Sequence, residues 1–230
     1  MSTATRYQRL RKELDSQCRN VGREPEEVTL LAVSKTVDID QVEIAISAGA
    51  HAFGENRPDE LLRKKAAFPQ EEWHFIGNIQ SRRIGDIVSA ADLIHSVCKE
   101  SHLAKIDKAA CEQGKVQKIL LEVNVSGEES KSGFSADEVY AVLLAAASFE
   151  HVEVCGLMTM APRSDEDAVL FTFSGLKALK EELQQKLDEQ QVGITLSELS
   201  MGMTEDWKTA VEYGSTCIRL GRAVFDDSFE

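Results

Sequence analysis

The residues best suited to chemistry are a lysine and two glycine-containing stretches far from it in the chain. Lys35 closes the run Leu30-Leu31-Ala32-Val33-Ser34-Lys35, in which four apolar residues precede a serine. Such a run reads as a short buried strand of the parallel kind, and lysine is among the residues least often fully buried. Either Lys35 is the first solvated residue beyond the strand, or its amine sits at the mouth of a pocket. Desolvation there would lower its pKa and make it a nucleophile toward a carbonyl, as in Schiff-base lysines. The first glycine stretch, Ser200-Met201-Gly202-Met203-Thr204, leads from an apolar run into a helical pattern that begins with Glu205 and Asp206; the second, Gly221-Arg222, follows Arg219-Leu220. Backbone N–H groups at such turns suit a phosphate. Read singly, Gly202 and Gly221 are ordinary turn glycines, and the two acids are plain partners of a helix dipole.

The elements that must position these residues alternate strictly. Apolar runs predict strands at 29–34, 51–53, 73–76, 93–97, 119–125, 152–158, 195–200 and 217–220. Between them, helical spacing covers 39–49, a segment holding Leu61, Leu62 and Ala66, then 80–90, 99–113, 135–149, 165–190 and 204–213. Asp38 with Gln41 and Ser135 with Glu138 resemble capping boxes, and Pro58 is acceptable in a first helical turn. Leu176, Leu179, Leu183 and Leu187 form one stripe, which reads as core. A further helix over 5–20, with Tyr7, Leu10, Leu14 and Cys18 on its apolar face, precedes the first strand and ends at Gly22 and Pro25. Strict alternation indicates a parallel sheet. Eight units in 230 residues fit an α/β fold: one (β/α)8 TIM-type barrel with an extra N-terminal helix, a single domain spanning 1–230. An open doubly wound sheet is the alternative, but no Gly-x-Gly-x-x-Gly follows the first strand.

Composition narrows the function. A formal charge of −13 argues against nucleic-acid or anionic-membrane partners, whose footprint is basic. Five cysteines without a Cys-x-x-Cys pattern suit free thiols in a reducing compartment. No apolar run approaches a membrane span and the N-terminus lacks a signal-peptide apolar stretch, so the expectation is a cytoplasmic protein. A monomer is expected, since no exposed apolar patch is legible.

In such a barrel the C-terminal strand ends build the site. Those ends are Lys35; Glu55 and Asn56; His74 and Gly77; Asn124; Met158; Ser200-Met201-Gly202; and Arg219 to Arg222. No carboxylate pair or histidine cluster stands out, so no metal is expected. Barrels often bind phosphate with the loops after strands seven and eight. An amine on strand one facing such a cup suggests a phosphorylated aldehyde, above all pyridoxal 5′-phosphate, with Ser200, Met201, Gly202, Gly221 and Arg222 around the phosphate.

Several motifs are also familiar together. Leu31-Ala32-Val33-Ser34-Lys35, Phe53-Gly54-Glu55-Asn56, His74-Phe75-Ile76-Gly77 with Gln80, Ser130-Lys131-Ser132-Gly133, Gly156-Leu157-Met158, Leu199-Ser200-Met201-Gly202-Met203 and Arg219-Leu220-Gly221 closely resemble the pyridoxal-phosphate homeostasis family, the single-domain relatives of the alanine racemase N-terminal barrel. The resemblance runs in order over nearly the whole chain. It implies Lys35 as the Schiff-base lysine, phosphate binding by Ser200 and the Gly221-Arg222 backbone, Arg219 near the pyridine nitrogen, and Asn56, His74 and Met158 lining the cofactor. Three departures are visible: Arg82-Arg83 where Asn-Lys is commoner, Pro58 after the Gly-Glu-Asn-Arg stretch, and Asp226 where glycine often follows Phe225. The last would bring a carboxylate toward the phosphate.

Two functions compete, a carrier that takes part in intracellular vitamin B6 homeostasis and a pyridoxal-phosphate-dependent amino-acid racemase. Racemisation needs an acid or base on each face of the substrate carbon. The fold relatives that do it bring a second domain with a tyrosine, whereas here Tyr7, Tyr140 and Tyr213 all lie away from strand ends and the chain ends after the eighth strand. A cation at position 219 beside the ring nitrogen also disfavours its protonation and weakens the electron sink. The expectation is therefore a cofactor carrier or regulator rather than an enzyme, with a purely structural role a distant third. Its expected partners are the cofactor and apo-enzymes that require it.

Overall fold

The computed structural model describes residues 1–128, 131–162 and 165–229; Ser130 of the Ser-Lys-Ser-Gly stretch lies outside them. Helix α1 (Thr3–Asn20) comes first, with the Ser2 hydroxyl accepting from the Thr5 N–H at its start. Eight strand–helix units follow: β1 (Thr29–Val33), α2 (Ile39–Ser47), β2 (Ala52–Glu55), α3 (Pro58–Ala67), β3 (Glu72–Phe75), α4 (Ile84–Ala90), β4 (Leu93–Val97), α5 (Glu100–Glu112), β5 (Gln117–Glu122), α6 (Ala136–Ala146), β6 (Val152–Met158), α7 (Glu166–Glu189), β7 (Glu198–Ser200), α8 (Trp207–Glu212), β8 (Cys217–Leu220) and α9 (Arg222–Phe225). All neighbouring strands pair in parallel and β8 returns to β1, closing a barrel in the order β1 to β8. The expected (β/α)8 barrel with an extra N-terminal helix is the fold observed.

Period-two alternation splits each strand between two cores. Trp73, Phe75, Leu199 and Met201 face the helices and join the large core beneath them, while His74, His95 and Ser200 are buried inside the barrel. Tyr7, Leu10, Leu14 and Cys18 are all buried, so the sparse apolar face of α1 is its docking face; it packs against α2, α8 and α9. Buried Arg6 donates to the Val224 carbonyl at 2.8 Å and pairs with Asp227, tying α1 to the end of the chain. The leucine stripe of α7 is core: Leu176, Leu183 and Leu187 are buried and Leu179 packs beside them. Among the described residues no helix is long and apolar enough to cross a membrane.

The caps differ in one place from expectation. The Ser135–Glu138 box forms, but the Asp38 carboxylate accepts from its immediate neighbour Ile39 and pairs with Arg63 on α3. Two departures from the family pattern meet in space: Arg83 pairs with Asp59, beside Pro58 at the first position of α3, and with Asp86.

Candidate functional site

The C-terminal face of the barrel carries a cleft of about 310 Å³ whose wall includes Lys35, Asn56, Met158, Arg219, Gly221 and Arg222. Each stands at or just past the end of its strand, as the barrel geometry requires. The strand ends can crowd this closely because Gly77 follows β3, where a Cβ would fall 2.1 Å from the Asn56 carbonyl oxygen. Lys35 is exposed to the cleft within a turn closed by the Val37 N–H and the Ser34 carbonyl at 3.1 Å. That turn is clamped from below. The fully buried Lys64 ammonium donates to the Ser34 and Val37 carbonyls, each at 2.8 Å, and to Glu55 Oε1 at 2.6 Å. The Ser34 hydroxyl donates to the same Glu55 oxygen at 2.6 Å. Glu55, expected at the cleft from its strand-end position, turns toward α3 to anchor this clamp.

On the neighbouring strand Arg222, after β8, pairs with Glu205, before α8. Among the described residues Lys35 and Arg219 are cleft cations without a carboxylate bridge, in a chain whose formal charge is −13. Arg219 is only 6% exposed. Its Nη1 donates to Ser200 Oγ at 2.6 Å and its Nη2 to the Thr159 carbonyl at 2.9 Å. The chain of hydrogen bonds continues through the barrel: Ser200 Oγ to His95 Nδ1, His95 Nε2 to His74 Nδ1, and His74 Nε2 to Glu72 Oε1, each 2.8 Å. A guanidinium only donates and a carboxylate only accepts, so Arg219 donates to Ser200 at one end of the chain and His74 Nε2–H donates to Glu72 at the other. Burial, with His74 and Arg219 alongside, holds His95 well below the usual histidine range, so it is neutral. Burial also pushes the Cys217 thiol up to about 12.

The model of the alanine racemase N-terminal domain matches residues 8–228 of this chain. The pyridoxal phosphate homeostasis protein of Aquifex aeolicus is 33% identical over 231 residues, covering 99% of both chains. The chain belongs to this family. A second relative so named, from Synechocystis, is 37% identical, covering 88% of this chain and 93% of its own. Among solved structures, PipY of Synechococcus elongatus with PLP bound is 32% identical and superposes with a TM-score of 0.80, covering 92% of this chain and 99% of that one. The racemase from Corynebacterium glutamicum, at 15% identity and a TM-score of 0.74, shares the fold; this chain covers 60% of its length.

For this family member, the structure brings six of the ten candidate site residues to one cleft and leaves four elsewhere. His74 lies a layer below, inside the barrel. Ser200 is 0% exposed, its hydroxyl engaged by Arg219 and His95, so it serves the arginine rather than lining the cleft. Met201 points to the helix-side core. Gly202 is a turn: its φ of +95° is left-handed, and a Cβ there would lie 2.6 Å from that of Ala210. Residue numbering identified strand ends but not depth; a residue one position early on an inward phase sits beneath the mouth. Cleft residues the sequence did not single out are Asn78 and Met160, ordinary types with no signal of their own. Asn124 instead organises its own loop, accepting from Ser126 and Gly127 at 3.1 Å, and Lys131 pairs with Glu128. Asp226 accepts from Ser228 N and Oγ and is absent from the cleft wall.

Arg219 is also the counter-ion of two buried acids. Burial raises the Glu122 and Asp206 carboxyls, and the Arg219 charge opposes both shifts. A raised folded-state pKa means that ionisation costs stability at neutral pH, and that the cost fades as pH falls toward the ordinary carboxylate range. Arg219→Gln is therefore expected to lose roughly 2 kcal/mol or more through its hydrogen bonds alone. Both acids then rise further, so the deficit relative to wild type is larger at about pH 8 than at about pH 5.5. Denaturant midpoints at the two pH values check this; an equal or larger deficit at the lower pH would refute the counter-ion role.

Proposed function

We propose that this chain binds pyridoxal 5′-phosphate in the C-terminal cleft, with its aldehyde held as a Schiff base on Lys35. Its role is that of a carrier in intracellular pyridoxal-phosphate homeostasis, without strong catalysis of its own. The observation that carries this reading is the placement of one lysine, Lys35, in a single cleft with Arg219 and the Gly221-Arg222 turn of the neighbouring strand. The names of the relatives and the PLP-bound state of PipY support it.

The donor set fits the group. A cleft of about 310 Å³ is at the small end of ligand sites, and two cations without a carboxylate bridge suit an anion. When bound, the cofactor supplies an electrophilic aldehyde and a conjugated ring able to delocalise a carbanion. Lys35 contributes the amine. The backbone at Gly221-Arg222 receives the phosphate, with the Glu205–Arg222 pair bracing the two loops. Arg219, fixed by Ser200 and Thr159, offers a donor to the ring nitrogen and opposes its protonation. Asn56 and Met158 flank the ring. Tyr7, Tyr140 and Tyr213 are absent from the cleft wall, so no tyrosine is at hand as a second base for racemisation. The protein acts as a cytoplasmic monomer, with apo-enzymes that need the cofactor as recipients.

The test is to add pyridoxal phosphate to the purified chain, reduce with borohydride and map the labelled peptide by mass. One label per chain on the Lys35 peptide is expected, with loss of the visible absorbance on reduction. A chain that takes up no cofactor, or labels scattered over surface lysines, overturns the reading. Rapid alanine racemisation by the loaded chain would replace the carrier with an enzyme.

A further inference from the structure

We propose that the opposite, N-terminal mouth of the barrel holds a soft divalent cation of the zinc class, ligated by His74 Nδ1, His95 Nε2 and Cys217 Sγ, with solvent in the fourth position. No spacing along the chain marks this site, because the three residues lie on β3, β4 and β8. The closed barrel brings one ligand atom of each within 4.8 Å of the others, and all three are buried.

The surroundings are those of a ligand set rather than of three isolated polar groups. Metal-binding histidines characteristically commit their second ring nitrogen to an outer hydrogen bond, often to a carboxylate. Here His74 Nε2 is held by Glu72 and His95 Nδ1 by Ser200, each at 2.8 Å, while the remaining nitrogens face each other at 2.8 Å. Tetrahedral zinc with nitrogen ligands at about 2.0–2.1 Å needs them about 0.5 Å further apart, a small rotation of two side chains. Two imidazoles and a thiolate suit zinc, whereas magnesium and calcium require oxygen.

There is also a way in. A cleft of about 410 Å³ opens on this face, with His74 and Cys217 in its wall. Its charged residues are Glu72, Asp92, Glu153 and Glu198 against Lys115 and Lys118, an acidic balance that attracts a cation.

The proton count closes. The cation displaces the Cys217 thiol proton, which leaves to solvent. In the bound form neutral His95 carries its proton on Nδ1 and donates it to Ser200 Oγ, which still accepts from Arg219. The Ser200 hydroxyl, which lies beside Cys217, turns its own proton toward the thiolate. One proton is released per ion and nothing is oxidised.

Cobalt(II) tests the site directly, titrated into the full-length chain without added pyridoxal phosphate. One ion per chain is expected, with a near-ultraviolet sulfur-to-cobalt band, tetrahedral visible bands, release of one proton, and displacement of cobalt by zinc. Cys217→Ala should lose the sulfur band while its melting curve shows it folded, and Cys98→Ser/Cys111→Ser should keep it. Glu72→Gln, on the rim, should weaken affinity by about 10- to 100-fold and serves if Cys217→Ala does not fold. Absence of stoichiometric binding, a sulfur band that survives Cys217→Ala or disappears with the other two thiols, or unchanged affinity in Glu72→Gln overturns the proposal.

Discussion

Lys35→Ala is expected to abolish covalent attachment of pyridoxal phosphate while leaving the protein as stable as wild type. The two halves of this result rest on different features. Lys35 is exposed at the centre of a turn whose hydrogen bonds belong to Ser34 and Val37, so truncation removes no buried contact. Substitutions of that kind change stability by about 0.5 kcal/mol or less. Among the described residues Lys35 is the one lysine in the cleft wall, so no second amine stands ready to replace it. Arg219 and the turn at Gly221 remain, and residual reversible binding should persist with affinity reduced on the order of 100-fold, about 2.7 kcal/mol. Absorbance after gel filtration reads the covalent fraction, equilibrium dialysis reads the remainder, and a denaturant curve reads stability. A visible band that survives filtration in the variant would move the Schiff base to another lysine. An unchanged dialysis affinity would mean that the aldehyde contributes nothing, and the amine would lose its role.

The sequence made the barrel legible because each of its levels agrees: short apolar runs, capping residues and strict alternation all describe the same parallel sheet. Strand ends at 93–97, 152–158 and 217–220 coincide with the observed ones, since a buried parallel strand is bounded by the polar residues that flank it. Two strands were read too long. Residues 195–197 and 123–125 are apolar or β-branched enough to pass as strand, but Val123 makes only an isolated bridge to Phe134 and β7 begins at Glu198. What remained hidden was depth and direction. Glu55 and Asn56 are adjacent in sequence, yet one enters the barrel wall to meet a lysine and the other lines the cleft. His74 and Ser200 carry the types expected of a cofactor site, but their phase on the strand sends them inward, where they hold Arg219 from behind. Pairings across strands, such as His74 with His95, leave no trace in the spacing of a single chain.

The buried lysine beneath the turn supplies the largest expected effect on stability. Lys64 is 0% exposed on α3 and its ammonium has three short acceptors: Glu55 Oε1, the Ser34 carbonyl and the Val37 carbonyl. Glu55 is equally buried, and its Oε2 has no partner among the described residues, so this carboxylate depends on Lys64 and Ser34 alone. Lys64→Met keeps the volume of the stem but leaves a buried carboxylate unpaired and two carbonyls without their donor. Breaking one side of a buried ion pair typically costs about 3–5 kcal/mol, a large share of the roughly 5–15 kcal/mol that holds a domain together. The two carbonyls also bracket Lys35 and Thr36, so the same change should loosen the turn that presents the amine. The double variant Glu55→Met/Lys64→Met separates the two consequences. Replacing a buried pair by apolar side chains is often close to neutral, and most of the lost stability should return. The turn regains no donor in the double variant, so uptake of pyridoxal phosphate should stay weaker and slower than in wild type. Denaturant midpoints and absorbance titrations on the single and double variants measure both. Recovery of stability together with wild-type uptake would reduce Lys64 to a structural counter-ion; failure of the double variant to recover stability would show that the carbonyl contacts, rather than the ion pair, dominate its contribution.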